Sequence, residues 1–141
     1  MRSVMRIRMR APEERIFALA ADVERWPQLL PHYRYVRRLP ALYGERRFAM
    51  GARRGLIPLR WEAIQRPRPA ERTIEFSHVG GVTRGMEVAW RLEPVDGAVE
   101  VSIEHELRTR WPLFGRLVAS FVEAVAGRTL GRIKTLAESH P

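Results

Sequence analysis

The chain has 141 residues, 45% of them hydrophobic, with ten Gly and ten Pro, which suits one ordinary globular domain with a single buried core. It contains no cysteine, which excludes a disulfide framework, a thiolate nucleophile and a Cys-ligated metal. The net charge is +9, and of the 25 basic residues all but Lys134 are arginine. Either an anionic partner held by bidentate guanidinium contacts or the coding bias of a GC-rich genome accounts for that excess.

The opening MRSVMRIRMR is basic without an apolar core of signal-peptide length, and the later run LVASFVEAVAG is short and interrupted by Glu123. A cytoplasmic protein without a membrane span is the expectation. In SVMRIRMR, Met5, Ile7 and Met9 alternate with Arg6, Arg8 and Arg10, which predicts a half-buried strand. Pro12 suits a first helical turn, and EERIFALAADVERW places Ile16, Leu19, Ala20 and Val23 at helical spacing. The next stretch, WPQLLPHYRYV, is crowded with aromatic and apolar side chains, yet Pro27 and Pro31 forbid a long helix.

Strand-like runs follow: RYVRRL, ERRFAMGAR, PLRWEAIQ, RTIEFSHV, TRGMEVAWRLEP and VEVSIEHELR. Turn chemistry separates them at Leu42 to Gly44, RGLIP, RPRPAE, Gly80-Gly81 and Asp96-Gly97, predicting a seven-stranded antiparallel meander with the first strand included. From Pro112 to about Glu138 the pattern predicts one long amphipathic helix. Phe114, Leu117, Val118, Phe121, Val122, Val125, Ile133 and Leu136 form its apolar face, opposite Arg116, Glu123 and Lys134. Gly115, Gly127 and Gly131 mark close approaches, flexible points or tolerated helix glycines. No linker, repeat or low-complexity run divides the chain, so residues 1–141 are read as one domain.

This order is α+β: a strand, two short helices, six strands, and a long C-terminal helix wrapped by the seven-stranded sheet. It is that of the helix-grip fold. The stretches APEERIFALAADVERWPQLLPHY, RWEAI, MEVAWRLEPVDG and LGRIKTLAE resemble the polyketide cyclase/dehydrase and lipid-transport family, relatives of START domains and coenzyme Q-binding proteins, over nearly the whole chain. The resemblance implies a deep, mostly apolar cavity between sheet and helix, rimmed by the short helices. Trp26, Leu29, Leu30, Tyr33 and Tyr35 would then form a portal, or Trp26 would plug the end of the core.

Alternation gives the inward faces. Val99, Val101, Ile103, His105 and Leu107 share one, as do Ile74, Phe76 and His78. Val82, Arg84, Met86, Val88, Trp90 and Leu92 share another, and Leu59, Trp61, Phe48 and Met50 complete the lining. The expected ligand contacts are thus Trp26, Leu30, Tyr35, Phe48, Met50, Trp61, Phe76, His78, Met86 and Trp90, with Phe121, Val125 and Arg128 from the helix. Three polar candidates have a catalytic reading. Arg84 grips a carboxylate or enolate oxygen at the rim, or simply reaches solvent. His105 bonds a ligand carbonyl or moves a proton, or is a satisfied core histidine. Tyr33, which follows WPQLLPH as in single-domain aromatase/cyclases, is the third. Arg128 and Arg132, four apart, either line a cavity mouth or snorkel over the core edge.

No spacing supplies a third ligand beside His78 and His105, so neither a metal nor another cofactor is expected. Three functions follow: a cyclase/dehydrase acting on a poly-β-keto chain delivered by an acidic acyl carrier protein, a non-catalytic lipid or quinone carrier, or a ribosome- or RNA-associated domain. The absence of a basic tail or an aromatic-basic ribbon argues against nucleic acid.

Overall fold

The computed structural model describes residues 1–139. Strand β1 (Arg2–Met9) leads into α1 (Glu13–Ala21), a 3-10 turn (Val23–Arg25) and a single α-turn, α2 (Trp26–Leu29). Six strands follow: β2 (Tyr33–Leu39), β3 (Arg46–Arg54), β4 (Ile57–Arg68), β5 (Thr73–Gly81), β6 (Glu87–Val95) and β7 (Ala98–Glu106). Helix α3 (Pro112–Glu138) closes the chain. The sheet is antiparallel throughout, in the order β1-β7-β6-β5-β4-β3-β2, and α3 packs against β1, β3 and β7. This is the expected helix-grip arrangement.

The two prolines explain the broken segment. Pro27 is tolerated in the first turn of α2, where its missing N–H has no partner to lose. Leu30 N–H closes that turn on Trp26 O at 2.6 Å, and Pro31 then holds Leu30 extended (φ −120°, ψ 99°). The chain therefore reverses within a few residues and drops Trp26, Leu30 and Tyr33 into the core, at 3%, 0% and 8% exposure.

Loops follow the turn residues with two differences. Asp96 (φ 47°) and Gly97 (φ 77°) form the left-handed pair of a tight β6–β7 hairpin, as expected. Gly80 and Gly81 instead extend β5, opposite Glu62 and Trp61 of β4, with a bulge after Glu62. Gly81 has φ +91°, and a Cβ there would lie 2.5 Å from Arg60 O, so the position accepts only glycine. The reversal falls at 82–85, which changes the register of everything between Gly81 and Met86. The second difference is β4, which runs on through Pro67 to Arg68.

Helix α3 buries Val118, Val122, Val125, Ala126, Thr129, Leu130 and Ile133, but Leu117, placed by periodicity on the apolar face, is 63% exposed. Gly115 and Gly127 are close approaches, where a Cβ would lie 3.3 Å from Thr109 Cγ2 and Met5 Cε, whereas Gly131 faces open space. Two polar contacts fix the layers. Buried Gln65 on β4 donates to Ala21 O at 2.8 Å and accepts from Arg46 Nε at 2.9 Å, and Lys134 donates to Arg8 O at 2.8 Å.

Candidate functional site

Between the sheet and α3 lies a cavity with room for about 70 Å³ of water-sized contents, inside about 600 Å³ of hollow that includes its open mouth. The sheet supplies Met50, Leu59, Trp61, Phe76, Met86, Val88, Trp90 and Ile103, and α3 supplies Phe121, Val122, Val125 and Ala126. Inward alternation on neighbouring strands builds this lining: Trp61 lies opposite Met50, Phe76 opposite Val88, and Trp90 opposite both Ile74 and Ile103. Phe121, Leu59, His78 and His105 are half-buried while most of the lining is buried, which puts the opening on this side of the cavity, with Leu59 of β4 and Phe121 of α3 at its edge.

Trp26 and Tyr33 form the closed part of this cavity, which answers the portal expectation with a correction: they line it, but as its buried wall and not its rim. Their rings meet edge to face with centroids 4.9 Å apart, and Trp26 lies 6.0 Å from Trp90. The indole N–H donates to Leu19 O at 3.0 Å, so its one polar atom is satisfied. Burial pushes the Tyr33 phenol far above its ordinary range, a hydrogen bond with Thr129 offsetting part of the effect. It is a neutral hydroxyl at any physiological pH.

Behind Tyr33 sits a polar chain. Thr129 Oγ1 donates to Val125 O at 2.8 Å, which leaves its lone pairs to accept the Nε2–H of buried His32 at 2.8 Å. Burial, then the positive charge of Arg128, push His32 down to about 4 despite an opposing hydrogen bond to the Val125 backbone. On the sheet side, His78 stacks on Trp61 (5.6 Å, 3° between planes), and its Nδ1 is 2.8 Å from the hydroxyl of buried Thr83. Burial, followed by proximity to His105, pushes His78 down to about 3. Burial also pushes His105 down to about 4. Its Nδ1 is inaccessible to water and has no hydrogen-bond partner among the described residues.

The cavity therefore holds neutral imidazoles, a phenol and two threonine hydroxyls, and among the described residues no carboxylate or guanidinium lines it. Among the described residues no group of three His, Cys, Asp or Glu side chains is placed to hold a metal ion.

Of the sequence-derived candidates, Tyr33, His105, Trp26, Met50, Trp61, Phe76, His78, Met86, Trp90, Phe121 and Val125 converge on this cavity. Five do not. Arg84 lies exposed in the β5–β6 turn, because Gly80-Gly81 continue β5 and the alternation carried back from Met86 fails at the turn; Thr83 occupies the inward position. Tyr35 lies over Gly51 on the outer face of the sheet, with Arg37 4.7 Å above its ring. Leu30 and Phe48 are fully buried core residues outside the lining. Arg128 lies exposed along a shallow external groove with His32, Pro31 and Arg132, and Arg132 caps Leu29 O at 3.0 Å. Sequence reasoning does not find Thr83, Thr129 or His32. Thr129 carries a signal, as a polar residue inside the stripe Val122, Val125, Ile133, whereas Thr83 is hidden by the displaced turn.

Comparison with known proteins agrees with this architecture. The polyketide cyclase/dehydrase and lipid transport family matches residues 9–134, and the chain belongs to that family. A curated relative is the granaticin polyketide synthase bifunctional cyclase/dehydratase of Streptomyces violaceoruber, 27% identical over 99% of this chain. The chain spans 45% of that relative's length. Among solved structures, the Zhui aromatase/cyclase of Streptomyces sp. R1128 superposes with a TM-score of 0.81 at 16% identity, covering 98% of this chain and 93% of its own. A START superfamily protein of Mycobacterium smegmatis gives 0.80 at 15% identity, covering 97% of each chain. These two likenesses concern the fold.

Proposed function

We propose that the cavity binds one uncharged, largely apolar small molecule of flat polyketide, quinone or lipid type. The observation that carries this reading is the orphaned His105 Nδ1 in an apolar lining that offers no countercharge. An ionised headgroup drawn inside would lose its hydration without a partner, whereas a hydroxyl or carbonyl needs only one hydrogen bond. A ligand hydroxyl, which both donates and accepts, pairs with His105 Nδ1 in either tautomer, and the indoles of Trp61 and Trp90 offer apolar ring surface. A multi-ring ligand exceeds the closed volume, so the half-buried Phe121 and Leu59 move aside for it.

His105→Leu separates the ligand role from a packing role. Removing an unpaired buried ring nitrogen should leave the free protein as stable or about 1 kcal/mol more stable, while affinity for a hydroxyl-bearing naphthoquinone, read by quenching of the cavity tryptophans, falls about tenfold. Unchanged affinity together with a loss of stability would assign His105 to the core instead.

The family and the curated relative's name favour a second reading, cyclase/dehydratase chemistry; delivery of the chain by an acidic acyl carrier protein would be a further part of that proposal. Tyr33 and His105 face one cavity, as a donor phenol and an imidazole base would need to. An imidazole held near 4 is, however, a weak base and no acid at neutral pH, so binding ranks ahead of turnover.

A further inference from the structure

In an antiparallel meander, alternate connections fall at the same end of the sheet. The β3–β4 turn, the β5–β6 turn and the β7–α3 connection therefore lie together, and contacts confirm it: Arg54 bonds Ser120 on α3, and Gly85 approaches Leu107 Cδ1. Among the described residues, most of the exposed large apolar side chains sit on these segments and the start of α3. Leu56 at the β3–β4 tip is 95% exposed, Ile57 63% and Val82 60%; at the start of α3, Trp111 is 70% exposed, Leu113 69% and Leu117 63%. This accounts for Leu117, whose apolar position on α3 faces outward.

This end also gathers arginines. Arg2, at the start of β1 beside the end of β7, pairs with Glu104. Arg53, Arg54, Arg84, Arg108, Arg110 and Arg116 are all exposed, and none makes an ion pair among the described residues. Glu87 and Glu106, opposite each other on β6 and β7, are acidic side chains nearby. The sequence RTRWPLFGRL interleaves the two chemistries directly.

We propose that this end docks on an anionic lipid surface. Leu56, Ile57, Trp111 and Leu113 enter the headgroup layer, and the unpaired arginines meet lipid phosphates. The attachment proposed is peripheral, and among the described residues no helix is long and apolar enough to cross a membrane. A fluid interface accepts separate protruding side chains from three segments, whereas a folded acidic partner would use the arginines and leave Leu56 and Ile57 at the hairpin tip uncovered. The cavity mouth, between Leu59 and Phe121, opens beside the Arg54–Ser120 contact and so faces that surface. The proposal stands independently of what the cavity holds.

The test is sedimentation with vesicles of phosphatidylcholine alone or with roughly a third phosphatidylglycerol, at low and physiological salt. The expected result is binding to the anionic vesicles only, weakened at least about tenfold by Leu56→Ser with Trp111→Ser and separately by Arg108→Ser with Arg110→Ser. The exposure of these positions predicts unchanged thermal unfolding. Trp111 fluorescence should shift to shorter wavelength on binding in a variant whose three buried tryptophans are phenylalanine, provided its circular dichroism matches the parent. The proposal is overturned by no binding to anionic vesicles, by binding indifferent to the apolar pair, or by vesicle-independent capture of an acidic acyl carrier protein through the same arginines.

Discussion

Trp26→Ala is expected to cost about 3–5 kcal/mol of folding stability, the range for emptying a buried aromatic site. The position supports such a value for three reasons. The indole is 3% exposed, it contacts Tyr33, Phe76 and Trp90 at 4.9, 6.5 and 6.0 Å, and its N–H satisfies Leu19 O at 3.0 Å. It also joins the helical turn after α1 to the sheet, so its loss frees the segment that carries Tyr33. Trp26→Phe keeps much of the ring but abandons the Leu19 hydrogen bond, and should fall between wild type and alanine, at about 1–3 kcal/mol. Urea unfolding of the three proteins provides the comparison. A loss below about 1 kcal/mol for alanine would mean that Trp26 belongs to a mobile portal, as the sequence alone allows, and not to the core.

Acid should destabilise the protein well before its carboxylates titrate. His32, His78 and His105 are pushed down to about 4, 3 and 4, against about 6.5 in the unfolded chain. The folded state thus binds fewer protons than the unfolded state between those values. The histidines leave stability untouched above about pH 6.5, then remove it progressively as pH falls through 6 and 5, with the loss complete only below the folded values. Together the three rings account for at most a few kcal/mol once solvent screening is allowed for, since each tenfold change in a ring's proton affinity between the two states is worth on the order of one kcal/mol. Between pH 6.5 and 5 carboxylates change little, so urea midpoints in that window isolate the histidine contribution. His105→Leu should flatten the slope there. A stability independent of pH down to 5 would mean that the three rings ionise freely and the site is wet.

Much of this architecture is legible because periodicity and turn chemistry agree. Met5, Ile7 and Met9 opposite Arg6 and Arg8, the Asp96-Gly97 hairpin and the long helix all follow from local rules. The cavity lining is legible for the same reason, since inward alternation on β4 to β7 names Trp61, Phe76, Trp90 and His105 directly. Failures cluster where one local misreading shifts a register. Gly80-Gly81 reads as a hairpin turn, yet its glycines are required by the approach of Arg60 O from β4, a contact between strands that no local pattern reports. Arg84 is misplaced as a consequence. Tyr35 fails differently: β2 is irregular between Tyr33 and Tyr35, so both tyrosines look equivalent in sequence while only Tyr33 points inward. The polar chain from His32 through Thr129 to Val125 O joins residues far apart in sequence and is legible only as a threonine in an apolar stripe.

Under the proposed binding role, such a cavity would distinguish ligands by charge before shape. Arg84 and Arg128, the guanidiniums expected to hold an acidic group, are both outside, and every titratable group lining the cavity is held neutral. The most direct measurement is a native mass spectrum of the protein with matched two-ring ligands, a naphthoquinone and the corresponding naphthoate. The account predicts a one-to-one adduct with the uncharged compound, lost on excess of a larger neutral polyketide mimic, and none with the carboxylate. Preferential binding of the naphthoate would contradict it and place the binding determinant among the exposed arginines.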